Sequence, residues 1–292
     1  MRGWRLVVFI IATAAIVWLM RTSGPPRSLY PIRPPDPVAS DLGSAFDPAR
    51  SGSVSGHVRW DGPRPSVEPM RLGQVANPPG GKTELPNPNA PTISKDNRLA
   101  DVVVWLVGVP PSRSRPWPYP PVTVDVAQLG LVVQQGPSQG RYGIVRRGTE
   151  VEFGTHEASL HSVRGRGASF FTQMLATPDQ PVRRVLSDSG IVELSSGSGY
   201  FWLRGYLVVS DHPHVVVTGS DGSFRFDQVP DGEYDIVCWE ANWQIDRLER
   251  DPELLGPVRL YFRPPLQSRQ RVVVKAGGDQ VVDFAISAAQ AH

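Results

Sequence analysis

The sequence is poor in cysteine, in charge of one sign and in helical periodicity, and each lack excludes something. Of 292 residues one is cysteine, Cys238. A single thiol excludes an intramolecular disulfide and any paired-cysteine metal site, and between Val237 and Trp239 it reads as a small core residue. Thirty basic residues stand against 28 acidic ones, for a net charge of +2. With no basic stripe interleaved with aromatics, no nucleic-acid partner is expected. Beyond the N-terminus no apolar pattern keeps a helical period for more than two turns. Only one long hydrophobic run exists, residues 6–20, between Arg5 and Arg21. As a helix it is about 22 Å long, short of a hydrocarbon core of about 30 Å, with Trp4 and Trp18 placed for the two interfaces. Residues 1–22 read as a membrane anchor that meets the lipid bilayer through residues 6–20. A cleaved secretory signal is the competing reading. Either way the remainder is exported. The expected location is the inner (cytoplasmic) membrane, single-pass, with the bulk of the chain in the periplasm or extracytoplasmic space.

Proline and glycine are abundant, 30 and 28 residues, which favours short strands and many turns. In residues 23–50 proline recurs every few positions and favours extended polyproline II. This segment is either a stalk or a strap laid on a partner, with Tyr30 and Ile32 as its anchors. From residue 53 short apolar alternations lie between turns. The run 99–109, "LADVVVWLVGV", is valine-rich and too short for an ordinary helix, so it reads as a buried strand. Asp221-Gly222 and Asp231-Gly232 are turn dipeptides, and "RVVVKAGGDQVVDFAI", 271–286, reads as a closing hairpin around Gly277-Gly278. The expected class is all-β, two small sandwiches behind one N-terminal transmembrane helix.

"VTGSDGSFRFDQVPDGEYDIVCWE" resembles the carboxypeptidase regulatory-like, transthyretin-type β-sandwich, with its turn Asp-Gly, Phe-x-Phe strand and Pro-x-Gly-x-Tyr turn. "SVSGHVRWDGPRP" is similar to that family's opening strand. The distance between the two pieces implies a discontinuous sandwich, residues 53–118 and 213–288, holding an inserted domain at 119–212. The insert is similar to a cupredoxin domain of exported bacterial proteins with this two-part layout. "FGTHEASLHSV" matches the family's first ligand segment and puts His161 at a copper-ligand position. "GSGYFWLRGYLVVSDHP" matches the second, with Arg204-Gly205-Tyr206 and His212-Pro213 fixing the register. The family's cysteine then falls on Gly197, its histidine on Tyr200 and its methionine on Leu203. A blue-copper centre needs a thiolate and two imidazoles, usually with a weak axial group. Only His161 remains, so the resemblance implies a degenerate domain without a copper site, and no metal or other cofactor is expected.

Other chemistry finds little support. His212 and His214 share a strand face at spacing two, but Pro213 between them favours packing over metal binding. "GSGYF" lacks the spacing of a nucleophile elbow, "PPGGKTE" lacks the leading glycine of a P-loop, and the carboxylates Glu249, Asp251 and Glu253 form one hydrophilic run. No enzymatic activity is expected. Aromatics are the surplus that remains. Trp202, Trp239, Trp243, Leu260, Tyr261 and Phe262 are candidate partner-binding residues, the last three in a long insertion before the final strands. For Tyr200 to Trp202 the alternative is that the rings fill a core left by the missing ligands. The expected function is a membrane-anchored accessory or structural subunit of a membrane protein complex, such as an oxidase, a bc-type complex or a photosynthetic reaction centre. A carbohydrate- or cell-envelope-binding module and, less strongly, an electron carrier with atypical ligands are the alternatives.

Overall fold

The computed structural model describes residues 45–72, 83–253, 256–287 and 289. The chain divides into two compact units, 1–37 and 38–292, and the described residues all belong to the second. The expected anchor, Tyr30 and Ile32 lie outside the described residues. Among the described residues no helix is long and apolar enough to cross a membrane. Strands dominate, with short 3-10 turns such as Pro48–Arg50 and Pro111–Arg113. The chain is all-β.

Four larger sheets make two sandwiches. In the first, one sheet runs Ser223–Pro230, Ser51–Asp61, Asp279–Val281, with Phe284–Ser287 also on Ser51–Asp61. The facing sheet runs Val215–Val217, Val103–Val107, Gly232–Glu240, Leu266–Val274. Their inner faces meet in a core that includes Val58, Leu106, Phe226, Ile236 and Cys238. In the second sandwich one sheet runs Tyr142–Arg146, Arg204–Ser210, Gly190–Ser196, His161–Gly167, Phe171–Leu175. The other runs Val182–Val185, Glu150–Gly154, Val122–Val126, Leu131–Gln135, Ser138–Gly140. The pairings of these two sheets stay within residues 122–210. Period-two burial supplies the core, as in Val122–Val126, where positions 122, 124 and 126 are buried.

Two local readings change. The run 99–109 is not one strand: Leu99–Ala100 and Val103–Val107 are separated at Asp101, whose φ is 61°. The end of the chain is not a hairpin. Leu266–Val274 pairs with Gly232–Glu240, whereas Asp279–Val281 and Phe284–Ser287 cross to the opposite sheet and run parallel to Ser51–Asp61. Gly277, with φ 67°, turns the chain there, and its N–H bonds to the Ser51 carbonyl. The turn lies where the dipeptide puts it, but the outgoing strand finds a better partner than the incoming one.

The crossover requires close backbone approach at Gly56. A Cβ there would lie 1.8 Å from the Val282 carbonyl oxygen, beside the Val282 N–H to Ser55 carbonyl bond of 2.9 Å. Gly56→Ala is expected to destabilise the protein by about 2–4 kcal/mol, read as a lowered denaturant midpoint. An unchanged midpoint would contradict this register.

Candidate functional site

Two places concentrate polar and aromatic groups: the loop where copper ligands were expected, and the seam between the sandwiches.

At the loop, His161 opens its strand and is fully buried. Its Nε2 lies 2.7 Å from Glu157 Oε2, and its Nδ1 is buried without a partner among the described residues. Glu157 Oε2 also accepts from the Gln128 N–H at 3.0 Å, and the Gln128 carbonyl accepts from Trp202 Nε1 at 2.8 Å. One chain of contacts therefore ties the histidine to the tryptophan. Tyr200 lies 5.4 Å from the His161 ring and 5.5 Å from Trp202, which stands edge-on to Phe201. Phe201, Trp202 and Leu203 are buried in the second sandwich's core. At Gly197 a Cβ would fall 2.3 Å from Ser162 Oγ, so the space a thiolate would need is occupied. The chain's one thiol, Cys238, is buried in the first sandwich, where desolvation pushes its pKa up. These residues do not fit a blue-copper centre. Among the described residues no three of His, Cys, Asp and Glu come together as a metal-holding group.

His212 and His214 are both buried, with rings 5.8 Å apart. Burial lowers both pKa values, that of His214 to about 3, so both rings are neutral in packed surroundings.

The seam leaves little trace in the sequence. The loop Asn87-Pro88-Asn89 runs under it. Asn87 Nδ2 donates to the Trp243 carbonyl at 2.9 Å and Asn89 Nδ2 to the Asn242 carbonyl at 3.0 Å. From the second sandwich the Tyr206 hydroxyl donates to Asn89 Oδ1 at 2.9 Å, and Arg141 Nη1 to the Pro88 carbonyl at 2.8 Å. Arg141 Nη2 also lies 3.4 Å from Oε1 of Glu240, which is fully buried. Burial pushes the Glu240 carboxyl up to about 8, with Arg141 working against it. Beside this pair Tyr142 and Tyr206 stack on each other, and Trp239 stands edge-on to both. The one hint in the sequence is Glu240 itself, a carboxylate inside the apolar run "CWEANW".

This burial corrects four of the six described residues read as partner-facing. Trp202, Trp239, Trp243 and Leu260 are 4–6% exposed. Trp202 fills the end of the second sandwich beside Phe201, Trp239 fills the seam, and Trp243 packs edge-on against Trp60 at 5.6 Å. Leu260 sits on the second sandwich, where its carbonyl accepts from Arg204 Nη2 at 2.5 Å. Tyr261 and Phe262 stay half-buried on the hairpin formed by Ile245–Arg250 and Pro257–Phe262. Guanidinium groups of Arg166, Arg247 and Arg259 lie 4.1–5.7 Å from the Tyr261 ring.

No protein-family model and no curated protein matches the sequence. Among solved structures the chain is similar to a copper-containing nitrite reductase from Thermus scotoductus SA-01, at 17% identity, over 31% of this chain and 22% of that one, with a TM-score of 0.25. It is also similar to an oxidised point mutant of amicyanin, at 20% identity over 31% and 82% of the two chains, TM-score 0.25. A third is a purple cupredoxin from Nitrosopumilus maritimus, at 14% identity over 30% and 98%, TM-score 0.23. Likenesses of this size leave function to be argued from the residues.

Two outcomes are expected. Copper added to the purified protein should produce no visible thiolate–copper charge-transfer band and no stoichiometric binding. An intense visible band would show ligands that this geometry lacks. At the seam, the folded state holds a proton on Glu240 from about pH 4.5, the group's ordinary value, up to about 8. Stability therefore falls as pH rises through that window, by up to about 1.4 kcal/mol per pH unit. Glu240→Gln should flatten that dependence in denaturant titrations at stepped pH. Parallel profiles for the variant and the parent would refute it.

Proposed function

We propose that the chain is a non-enzymatic accessory or structural subunit, anchored through residues 6–20, with its bulk in the extracytoplasmic space, bound to a membrane protein complex. In this reading residues 119–212 are a cupredoxin-like domain that has lost its copper, held within a transthyretin-type sandwich of residues 53–118 and 213–288. The observation that carries it is the refilled ligand loop. Ser162 occupies the space that a side chain at 197 would need, and Phe201, Trp202 and Leu203 pack as core. A domain that keeps its framework and gives up its reactive centre keeps a shape and a surface. Descent from a redox module makes an electron-transfer assembly the reasonable partner: an oxidase, a bc-type complex or a photosynthetic reaction centre.

Burial of the tryptophans moves the candidate surface to the hairpin around Tyr261. Its half-exposed ring, flanked by Arg166, Arg247 and Arg259, has the aromatic and arginine composition that interfaces enrich. The Pro-rich segment supplies the second contact in this reading. Proline restricts the free chain, so ordering such a strap costs less than the usual 1–2 kcal/mol or so per residue.

Replacing residues 25–48 with a Gly/Ser spacer of equal length should leave membrane localisation intact and weaken co-purification in mild detergent. Tyr261→Ala should weaken it further. A chain that purifies alone in mild detergent, with or without these changes, would overturn the subunit reading.

A further inference from the structure

On one side of the seam two cavities adjoin. One, of about 520 Å³, is lined by Trp117, Tyr119, Val122 and Ile144, with Glu150, Glu152, Arg146 and Arg183 on its flank. The other, of about 460 Å³, is lined by Tyr119, Tyr142 and Ile144, with Asp101, Gln135, Gln139 and Arg141 on its flank. Tyr119, Pro120 and Ile144 line both, so the two form one furrow. Trp117, Tyr119 and Tyr142 are half-exposed along it. The Trp117 and Tyr119 rings stand edge-on, 5.5 Å apart, and the Tyr119 hydroxyl is fixed on the Val215 carbonyl. Each cavity falls within the roughly 300–1,000 Å³ of small-molecule sites.

The geometry points to a furrow that binds a neutral oligosaccharide. Three observations select that class. First, the flanking charges cancel, Asp101, Glu150 and Glu152 against Arg141, Arg146 and Arg183, so neither a polyanion nor a polycation is favoured. Second, unspent hydrogen-bonding groups line the furrow. Among the described residues Glu150 and Arg146, both on its flank, make no ion pair. Third, a peptide finds few main-chain partners. The free edge of Tyr142–Arg146 is capped by Gln135, whose Nε2 donates to the Ile144 carbonyl at 2.7 Å and whose Oε1 accepts from the Ile144 N–H at 3.0 Å. The wall that faces it, "RPWPYPPV", 115–122, has four prolines and so lacks four N–H donors. What remains is flat rings for the C–H faces of sugars, with carboxylates, guanidiniums and amides for hydroxyls. Two joined cavities imply more than one sugar ring. This surface is separate from the hairpin around Tyr261, so its occupancy is independent of the subunit reading.

The test uses the full chain in mild detergent, titrated calorimetrically with chitohexaose, cellohexaose and mannohexaose, and with decaproline as the peptide probe. At least one hexasaccharide should bind. Trp117→Ala should weaken that binding tenfold or more, the equivalent of about 1.4 kcal/mol. Arg183→Ala, an exposed change at the far end, should weaken it several-fold while leaving the melting temperature unchanged, so the proposal stays falsifiable should Trp117→Ala misfold. Raising the salt concentration should change the affinity little, because the ligand is uncharged. Sugar binding untouched by both variants, no binding of any hexasaccharide, or binding of decaproline alone would each overturn it.

Discussion

The architecture depends on the buried contact between Arg141 and Glu240 and on the asparagine loop that braces it. Apolar side chains of both sandwiches, among them Val103, Ile144, Val208 and Val215, pack together at the seam. Here a carboxyl from the end of Gly232–Glu240 and a guanidinium beside Tyr142–Arg146 fix the register. A buried ion pair does not stabilise a fold by default, because desolvation offsets attraction. At 3.4 Å the contact is loose, Glu240 Oε2 has no partner among the described residues, and burial keeps a proton on the carboxyl up to about pH 8, so at neutral pH Arg141 faces a neutral carboxyl and no ion pair forms. Asn87 and Asn89, which bond to the Trp243 and Asn242 carbonyls, supply the rigidity.

The ligand loop shows the same physics applied to a site that, on the proposed reading, has been vacated. Removing a thiolate and an imidazole from a sandwich end would leave polar backbone and space without partners. A void forfeits dispersion and an unpaired buried donor costs about 1–3 kcal/mol. Phe201 and Trp202 fill the volume, and the path His161–Glu157–Gln128–Trp202 satisfies most of the polar atoms. His161 Nδ1 is the exception, buried and unpaired among the described residues.

The class of the fold was legible because valine-rich runs bounded by Asp-Gly turns admit little else. Cys238 as core was legible from its apolar neighbours. That Phe201 and Trp202 fill core was one of the two readings their sequence left open. The crossing at the chain end was not. Gly277-Gly278 signals a turn, but the choice of partner for Asp279–Val281 rests on the edge of Ser51–Asp61, far away in sequence. The burial of Trp239 and Trp243 was hidden for the same reason. Each ring is covered by residues distant in sequence, Tyr142 and Tyr206 in one case and Trp60 in the other.

The proline segment 115–121 joins these themes. It leads from the first sandwich into the second, and a flexible linker there would let the seam open. Four prolines stiffen it, the Tyr119 hydroxyl pins it to Val215, and its rings become the wall of a furrow. Arg141 belongs both to that furrow and to the seam contact beneath it. A ligand that binds the furrow of the folded chain and not of the unfolded one stabilises the folded state by mass action. Because Asp101, Val216 and Val217 of the first sandwich line one of the furrow's two cavities, a ligand that spans into that cavity also favours the docked sandwiches, and recognition and docking are thermodynamically linked there.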